Sequence, residues 1–176
     1  ESDDMLLGIS KQTVNLVKNV LKDKPKEDWA INYVPHGIDP KKFYPITAGS
    51  DELALNSFRK KYLGDEEFNF VMLWNSRNIR RKNMSDIILS WRTFLDQLPV
   101  EQAKKCCLLM KTEISSDHGT DLNAVVKTFC DPKIHKVKFV TDRLDDKGMN
   151  YLYNCSDAHM FMTDNEGWGL GLTESL

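Results

Sequence analysis

From Phe70 onward, short apolar runs alternate with longer stretches whose apolar residues recur at helical spacing, and no other feature constrains the chain as much. Residues 70–74 read as a strand that is almost wholly apolar, as expected of a strand covered on both faces. Behind it Ile87, Ile88, Trp91, Phe94, Leu95 and Leu98 fall on one helical face. Further strands are expected at 106–110, 137–140 and 158–162, and further helices at 122–129, at 147–154 and from near Gly167 to the end. Strand–helix alternation implies right-handed crossovers and a parallel sheet, so the fold class is α/β.

The first third is less regular. Residues 5–9 read as a strand, and Ser10 suits the N-cap of a helix bearing Val14, Val17 and Leu21 and ended by Pro25. Residues 30–34 give a second strand. The Pro- and Gly-bearing loop after it is the natural linker. Ser50 is expected to cap the next helix, with Asp51 and Glu52 at its positive end and Leu63-Gly64 as its stop. Glu1 is not a methionine, and Leu176 falls inside an expected helix without a closing glycine, so both ends read as cut.

Composition excludes several classes. The 24 Lys and Arg nearly balance the 26 Asp and Glu, which argues against a surface built for nucleic acid or anionic lipid. No apolar run reaches the length of a membrane span. Cys106, Cys107, Cys130 and Cys155 form no C-x-x-C pair, so neither a zinc site nor a disulfide framework is expected, and a reducing compartment is the default. The dinucleotide fingerprint and the P-loop motif are both missing.

Ligands of open parallel sheets bind beyond the carboxyl ends of the strands. Each strand end here runs into charged residues: Arg77, Arg80, Arg81 and Lys82 after the first, Lys111 after the second, Thr141-Asp142-Arg143 after the third. The last leads to Glu166-Gly167-Trp168-Gly169-Leu170, with Glu174 eight positions after Glu166. Cations facing a glycine-rich helix start suit a phosphate. On a helix, that glutamate spacing sets the two carboxylates a little over two turns apart on roughly one face.

Val34-Pro35-His36-Gly37-Ile38-Asp39 with Phe43-Tyr44-Pro45, then Arg77 with Lys82, then 152–158 and 166–170 are four collinear motifs. On them the sequence resembles, along nearly its whole length, the GT-B retaining glycosyltransferases of family 4, the first motif being similar to that family's entry to its C-terminal domain. Arg77 and Lys82 match its "G-R" arginine and "K-G" lysine, 152–158 its "L-Y-x-x-A-D-V", and 166–170 its "E-G-F-G-L". Ser76 stands in place of the usual glycine, and Met162-Thr163 in place of Pro-Ser.

The resemblance implies a Rossmann-like parallel sheet flanked by helices, the C-terminal half of a GT-B fold, truncated at its C-terminus. Residues 1–29 would be the tail of the preceding acceptor domain with its linker, and 30–176 the incomplete nucleotide-sugar-binding domain. It implies a retaining, metal-independent hexosyltransferase of carbohydrate biosynthesis, this segment alone being inactive. Arg77 and Lys82 would hold the donor diphosphate, and Glu166 the hydroxyls of the transferred sugar. Backbone amides of Gly167, Trp168, Gly169 and Leu170 would assist, and Glu174 would take the ribose diol. Lys111 and Arg143 complete the expected donor-binding set, with base recognition around 141–144. No cofactor is implied beyond the donor, a GDP-sugar or UDP-sugar. The acceptor would be a glycan, lipid or other hydroxyl compound, and the location cytoplasmic or peripheral at a membrane through the missing domain. A non-catalytic nucleotide-sugar or phosphosugar binding module and a nucleotide-sugar epimerase of the same architecture are the alternatives. Arg80 and Arg81 read as surface charges, Arg81 pointing outward; none of the four histidines has ligand spacing.

Overall fold

The computed structural model describes residues 5–23, 30–47 and 49–176. At the N-terminus β1 (Leu6–Gly8), α1 (Lys11–Val20) and β2 (Ile31–Tyr33) form a small parallel β-α-β unit, Leu6 aligned with Ile31. Ser10 caps α1 by accepting a hydrogen bond from the Thr13 N–H at 3.0 Å, and Pro25 lies outside the described residues. The expected boundary between residues 29 and 30 thus falls between two strands that pair with each other. After β2 the described residues form no regular element until α2 (Ser50–Leu63). The N-cap of α2 is Gly49, one position before the expected Ser50, and Gly64 closes it as expected.

The remaining elements are β3 (Phe70–Asn75), α3 (Met84–Leu95), α4 (Val100–Ala103), β4 (Cys106–Lys111), α5 (Leu122–Phe129), β5 (Lys136–Val140), α6 (Asp146–Asn154), β6 (Ala158–His159) and α7 (Leu170–Glu174). The four strands from β3 onward make one wholly parallel sheet in the order β5-β4-β3-β6. Strand side chains alternate between faces, and each parity feeds a different core. Trp74, Leu108 and Met110 pack with Ile87, Ile88 and Trp91 of α3 and Leu122 of α5. Val71, Leu73, Leu109 and Val140 pack with Leu55 and Leu63 of α2 and Leu152 and Tyr153 of α6. Apolar burial on both faces is why β3 and β4 carry almost no polar residue. Fully burying one such Leu or Ile contributes roughly 1.5–3 kcal/mol.

Capping sets the helix starts. Asp121 accepts from the Ala124 N–H at 3.2 Å and Asp145 from the Gly148 N–H at 2.8 Å, each cap contributing about 1 kcal/mol. Asp157 clamps β6 onto β3: its carboxylate accepts the Val71 N–H at 2.7 Å, and its own N–H donates to the Val71 carbonyl at 2.8 Å.

Two expectations fail at the carboxyl edge. β6 is shorter than 158–162: after the Met160 N–H reaches the Leu73 carbonyl at 2.8 Å, the chain leaves β3 for the 80–83 segment. The last helix starts at Leu170, not near Gly167, because Gly169 lies in the left-handed region at φ 86° and residues 163–169 are not helical. All four cysteines are buried free thiols. Among the described residues, no helix is long and apolar enough to cross a membrane.

Candidate functional site

A cleft of about 480 Å³ opens where the carboxyl ends of β3 and β4 face α7. Its floor is Asn75 and Ser76 from one strand end and Lys111 and Thr112 from the next, joined by a 3.3 Å hydrogen bond from the Ser76 N–H to the Lys111 carbonyl. Arg77, Ile79, Arg81 and Lys82 form one wall; Phe161, Glu166, Gly169, Leu170, Gly171 and Glu174 form the other. Arg77, Arg81, Lys82 and Lys111 thus share the lining with Glu113, Glu166 and Glu174, an excess of positive charge suited to an anion.

The basic loop is held from two directions. Asn78, 1% exposed, donates from Nδ2 to the carbonyls of Glu113 (3.0 Å) and Thr120 (2.7 Å), and its Oδ1 accepts the Thr120 N–H at 2.9 Å. Gly119 makes room for it: a Cβ there would stand 1.9 Å from Asn78 Oδ1. From the other side the Arg81 carbonyl accepts the Asp164 N–H at 2.9 Å and the Thr163 hydroxyl at 3.1 Å, and Asn83 Nδ2 donates to Asp164 Oδ1 at 2.7 Å. The intervening 3-10 turn, Arg80–Lys82, delivers Lys82 into the cleft with 7% of its surface exposed.

Lys82 Nζ is in contact with Glu166 Oε1, and Arg81 Nη1 lies 3.5 Å from the same oxygen. Two influences oppose each other at this lysine. Burial and the Arg81 guanidinium lower its pKa from the ordinary 10.5, while the touching carboxylate is the countercharge that favours the ammonium. The expectation that Arg81 points outward is thereby corrected: it lines the cleft and donates to the Asn165 carbonyl, because the 163–166 segment folds over the turn. Arg80 stays exposed and outside the cleft lining.

Glu174, at the end of α7, accepts a 2.7 Å hydrogen bond from the Tyr153 hydroxyl. It reaches the same cleft as Glu166, although the two glutamates do not share a helix as their spacing implied. Of the other expected donor-binding residues, Lys111, Gly169 and Leu170 line the cleft. Gly167, Trp168 and Arg143 are not in its lining: the position of a Gly167 Cβ is 3.4 Å from Ile9 Cδ1, the Trp168 ring is edge-on to His36 at 6.0 Å, and Arg143 is exposed after β5. Ser76, noted in the sequence only as a departure from the family pattern, joins the lining with Thr112, Glu113 and Phe161, which sequence reasoning did not single out. Their position directly after strand ends was the available signal for the first three.

No protein-family model matches the sequence, and no curated protein matches it. Solved structures do. Sucrose-phosphate synthase from Thermosynechococcus elongatus superposes on 99% of this chain with a TM-score of 0.66 at 18% identity. A glycosyltransferase from Rickettsia africae covers 98% with a TM-score of 0.68 at 19% identity. A structure described as trehalose-6-phosphate from E. coli bound with UDP-2-fluoro glucose covers 98% with a TM-score of 0.67 at 12% identity. The chain spans 39%, 41% and 42% of the length of those three chains. At these identities the likeness is one of fold: a parallel sheet flanked by helices that matches half of a GT-B fold.

Proposed function

We propose that this chain is the donor-binding half of a retaining glycosyltransferase that takes a hexosyl group from a GDP-sugar or UDP-sugar to a hydroxyl of a glycan, lipid or other acceptor. The observation that carries the reading is the convergence of Arg77, Arg81, Lys82 and Lys111 with Glu166 and Glu174 on one cleft at the carboxyl edge of a parallel sheet. Arg77 and Lys82 bind the diphosphate, with Arg81 as a third cation, and Lys111 stands at the floor beneath it. Glu166 takes hydroxyls of the transferred sugar, helped by the backbone at Gly169 and Leu170, and Glu174 takes the ribose diol.

These roles fit the charge flow of the reaction. The anomeric C–O bond to the β-phosphate breaks, and its electron pair leaves with the nucleoside diphosphate. The acceptor oxygen bonds to the anomeric carbon on the same face, releasing its proton. Negative charge grows on the phosphate as the bond breaks, so cations fixed there stabilise the transition state more than the bound donor. In this reading the side-chain cations carry that task without a metal.

The test is turnover by the complete protein with GDP- and UDP-sugars and a panel of hydroxyl acceptors, with the anomeric configuration of the product read by NMR. Release of nucleoside diphosphate with a retained anomeric centre supports the reading. An inverted product removes the retaining mechanism, and no release with any pair reduces the chain to a binding module.

A further inference from the structure

We infer that Tyr153 is a positioning residue for nucleotide recognition, aiming the Glu174 carboxylate into the cleft through a relay that begins at Asn75. This rests on the proposed function, in which Glu174 meets the ribose, and adds to it a residue that touches no ligand.

Three hydrogen-bonding groups stand in line. Asn75, the last residue of β3, donates from Nδ2 to the Tyr153 hydroxyl oxygen at 3.2 Å, and Tyr153 donates its only proton to Glu174 Oε2 at 2.7 Å. The direction comes from the chemistry of the groups: an amide N–H can only donate and an ionised carboxylate only accept, so the phenol between them has one arrangement. Burial and the adjacent carboxylate both push the Tyr153 phenol well above its ordinary range, so it stays a neutral donor at any working pH.

The phenol itself is held firmly. Tyr153 is 8% exposed and lies in the core between β3 and α6, with the Phe43 ring edge-on at 5.9 Å. The helix carrying Glu174 is only five residues long and has no buried residue of its own, so it cannot fix its last side chain unaided. Around it, Ser175 just past its end has Oγ 2.9 Å from His159 Nδ1, and Gly171 comes close enough to the Asn75 amide that a Cβ would stand 3.4 Å from it. Those contacts place the helix, whereas the Tyr153 bond selects the rotamer of Glu174. With Oε2 tied, Oε1 is the oxygen left for a ligand. Both Asn75 and Glu174 line the cleft, and Tyr153 does not.

The experiment is calorimetric titration of wild type, Tyr153→Phe, Glu174→Gln and the double variant with UDP, GDP and their 2′,3′-dideoxy counterparts. Freeing the Glu174 carboxylate forfeits part of its charge-assisted bond to the ribose, so Y153F should bind ribonucleotides roughly fivefold to twentyfold more weakly, with the dideoxy forms changed less than about twofold. The double variant is expected to bind no more weakly than E174Q, since the tyrosine acts through the glutamate. Equal losses for ribo and dideoxy ligands in Y153F, or additive losses in the double variant, overturn the inference, because a merely structural tyrosine behaves in those ways. If Y153F does not fold, Asn75→Ala reads the same ribo-to-dideoxy ratio from the other end of the relay, and an unchanged ratio there also overturns it. Wild type that binds ribo and dideoxy forms equally removes Glu174 from the ribose, which defeats the underlying reading instead.

Discussion

Glu166 occupies the charge of the lysine that the proposed diphosphate needs, and this makes an unusual prediction for Glu166→Gln. The carboxylate touches Lys82 and sits 3.5 Å from Arg81, so an arriving phosphate must share both cations with it. A phosphate oxygen in contact with Lys82 would stand roughly 5 Å from that carboxylate. At an effective dielectric of about 20–40 the repulsion is about 1.5–3 kcal/mol per unit charge. Glutamine keeps the shape and removes the charge. The free diphosphate should therefore bind about 10- to 100-fold more tightly to E166Q than to wild type at matched ionic strength. A nucleotide sugar should gain far less, because in the proposed reading the same change costs it a carboxylate partner for its hydroxyls. Calorimetry with UDP, GDP, inorganic pyrophosphate and the corresponding sugar nucleotides reads both effects. Weaker or unchanged binding of free diphosphates to E166Q would refute the idea that Glu166 and the phosphate compete for Lys82.

Other perturbations test the scaffold and the thiols. Gly119→Ala drives a Cβ to 1.9 Å from Asn78 Oδ1 and 2.4 Å from its carbonyl, and should cost about 2–3 kcal/mol, seen as a Tm lowered by about 5–10 °C. An unchanged Tm would mean the Asn78 junction is not tight. His159 has its pKa lowered by burial, so the unfolded chain binds the proton first as pH falls; its stability contribution is complete above the unfolded value of about 6.5 and lost below it. His159→Asn should flatten the fall of Tm below pH 6.5, and an equally steep fall in both proteins would clear His159 of that role. Burial pushes the Cys107 and Cys155 thiols up to about 12, so a thiol reagent should label neither before unfolding; labelling at the rate of an exposed thiol would contradict their burial.

What the sequence disclosed and what it hid divide along physical lines. β3, β4 and α3 were legible because a strand covered on both faces must be apolar, and a helix on such a sheet must repeat its apolar face. The cations and glutamates at the carboxyl edge were legible because strand ends are where such sheets bind. Hidden features depend on contacts between distant segments. Nothing local marks residues 160–162 as leaving the sheet, since Phe161 and Met162 are as apolar as a strand requires. The inward path of Arg81 is set by Thr163, Asp164 and Asn165, over 80 positions away. Asn78 and Gly119 look like ordinary loop residues until one is seen inside the other's missing side chain. Tyr153 stood in a motif, but its hydroxyl acquires meaning only beside Asn75 and Glu174.

The central claim, that Arg77 and Lys82 clamp a nucleoside diphosphate in this cleft, is tested most directly by titrating this chain and its Arg77→Ala, Lys82→Ala and Arg80→Ala variants with UDP and GDP. On that claim each of the two contributes a charge-assisted contact worth roughly 1.5–3 kcal/mol, so R77A and K82A should each bind the preferred diphosphate about 10- to 100-fold more weakly. Exposed Arg80, outside the cleft lining, should change it less than about twofold. No binding of either diphosphate to the unmodified chain, or equal losses in R80A, R77A and K82A, would contradict the clamp and leave only diffuse positive charge.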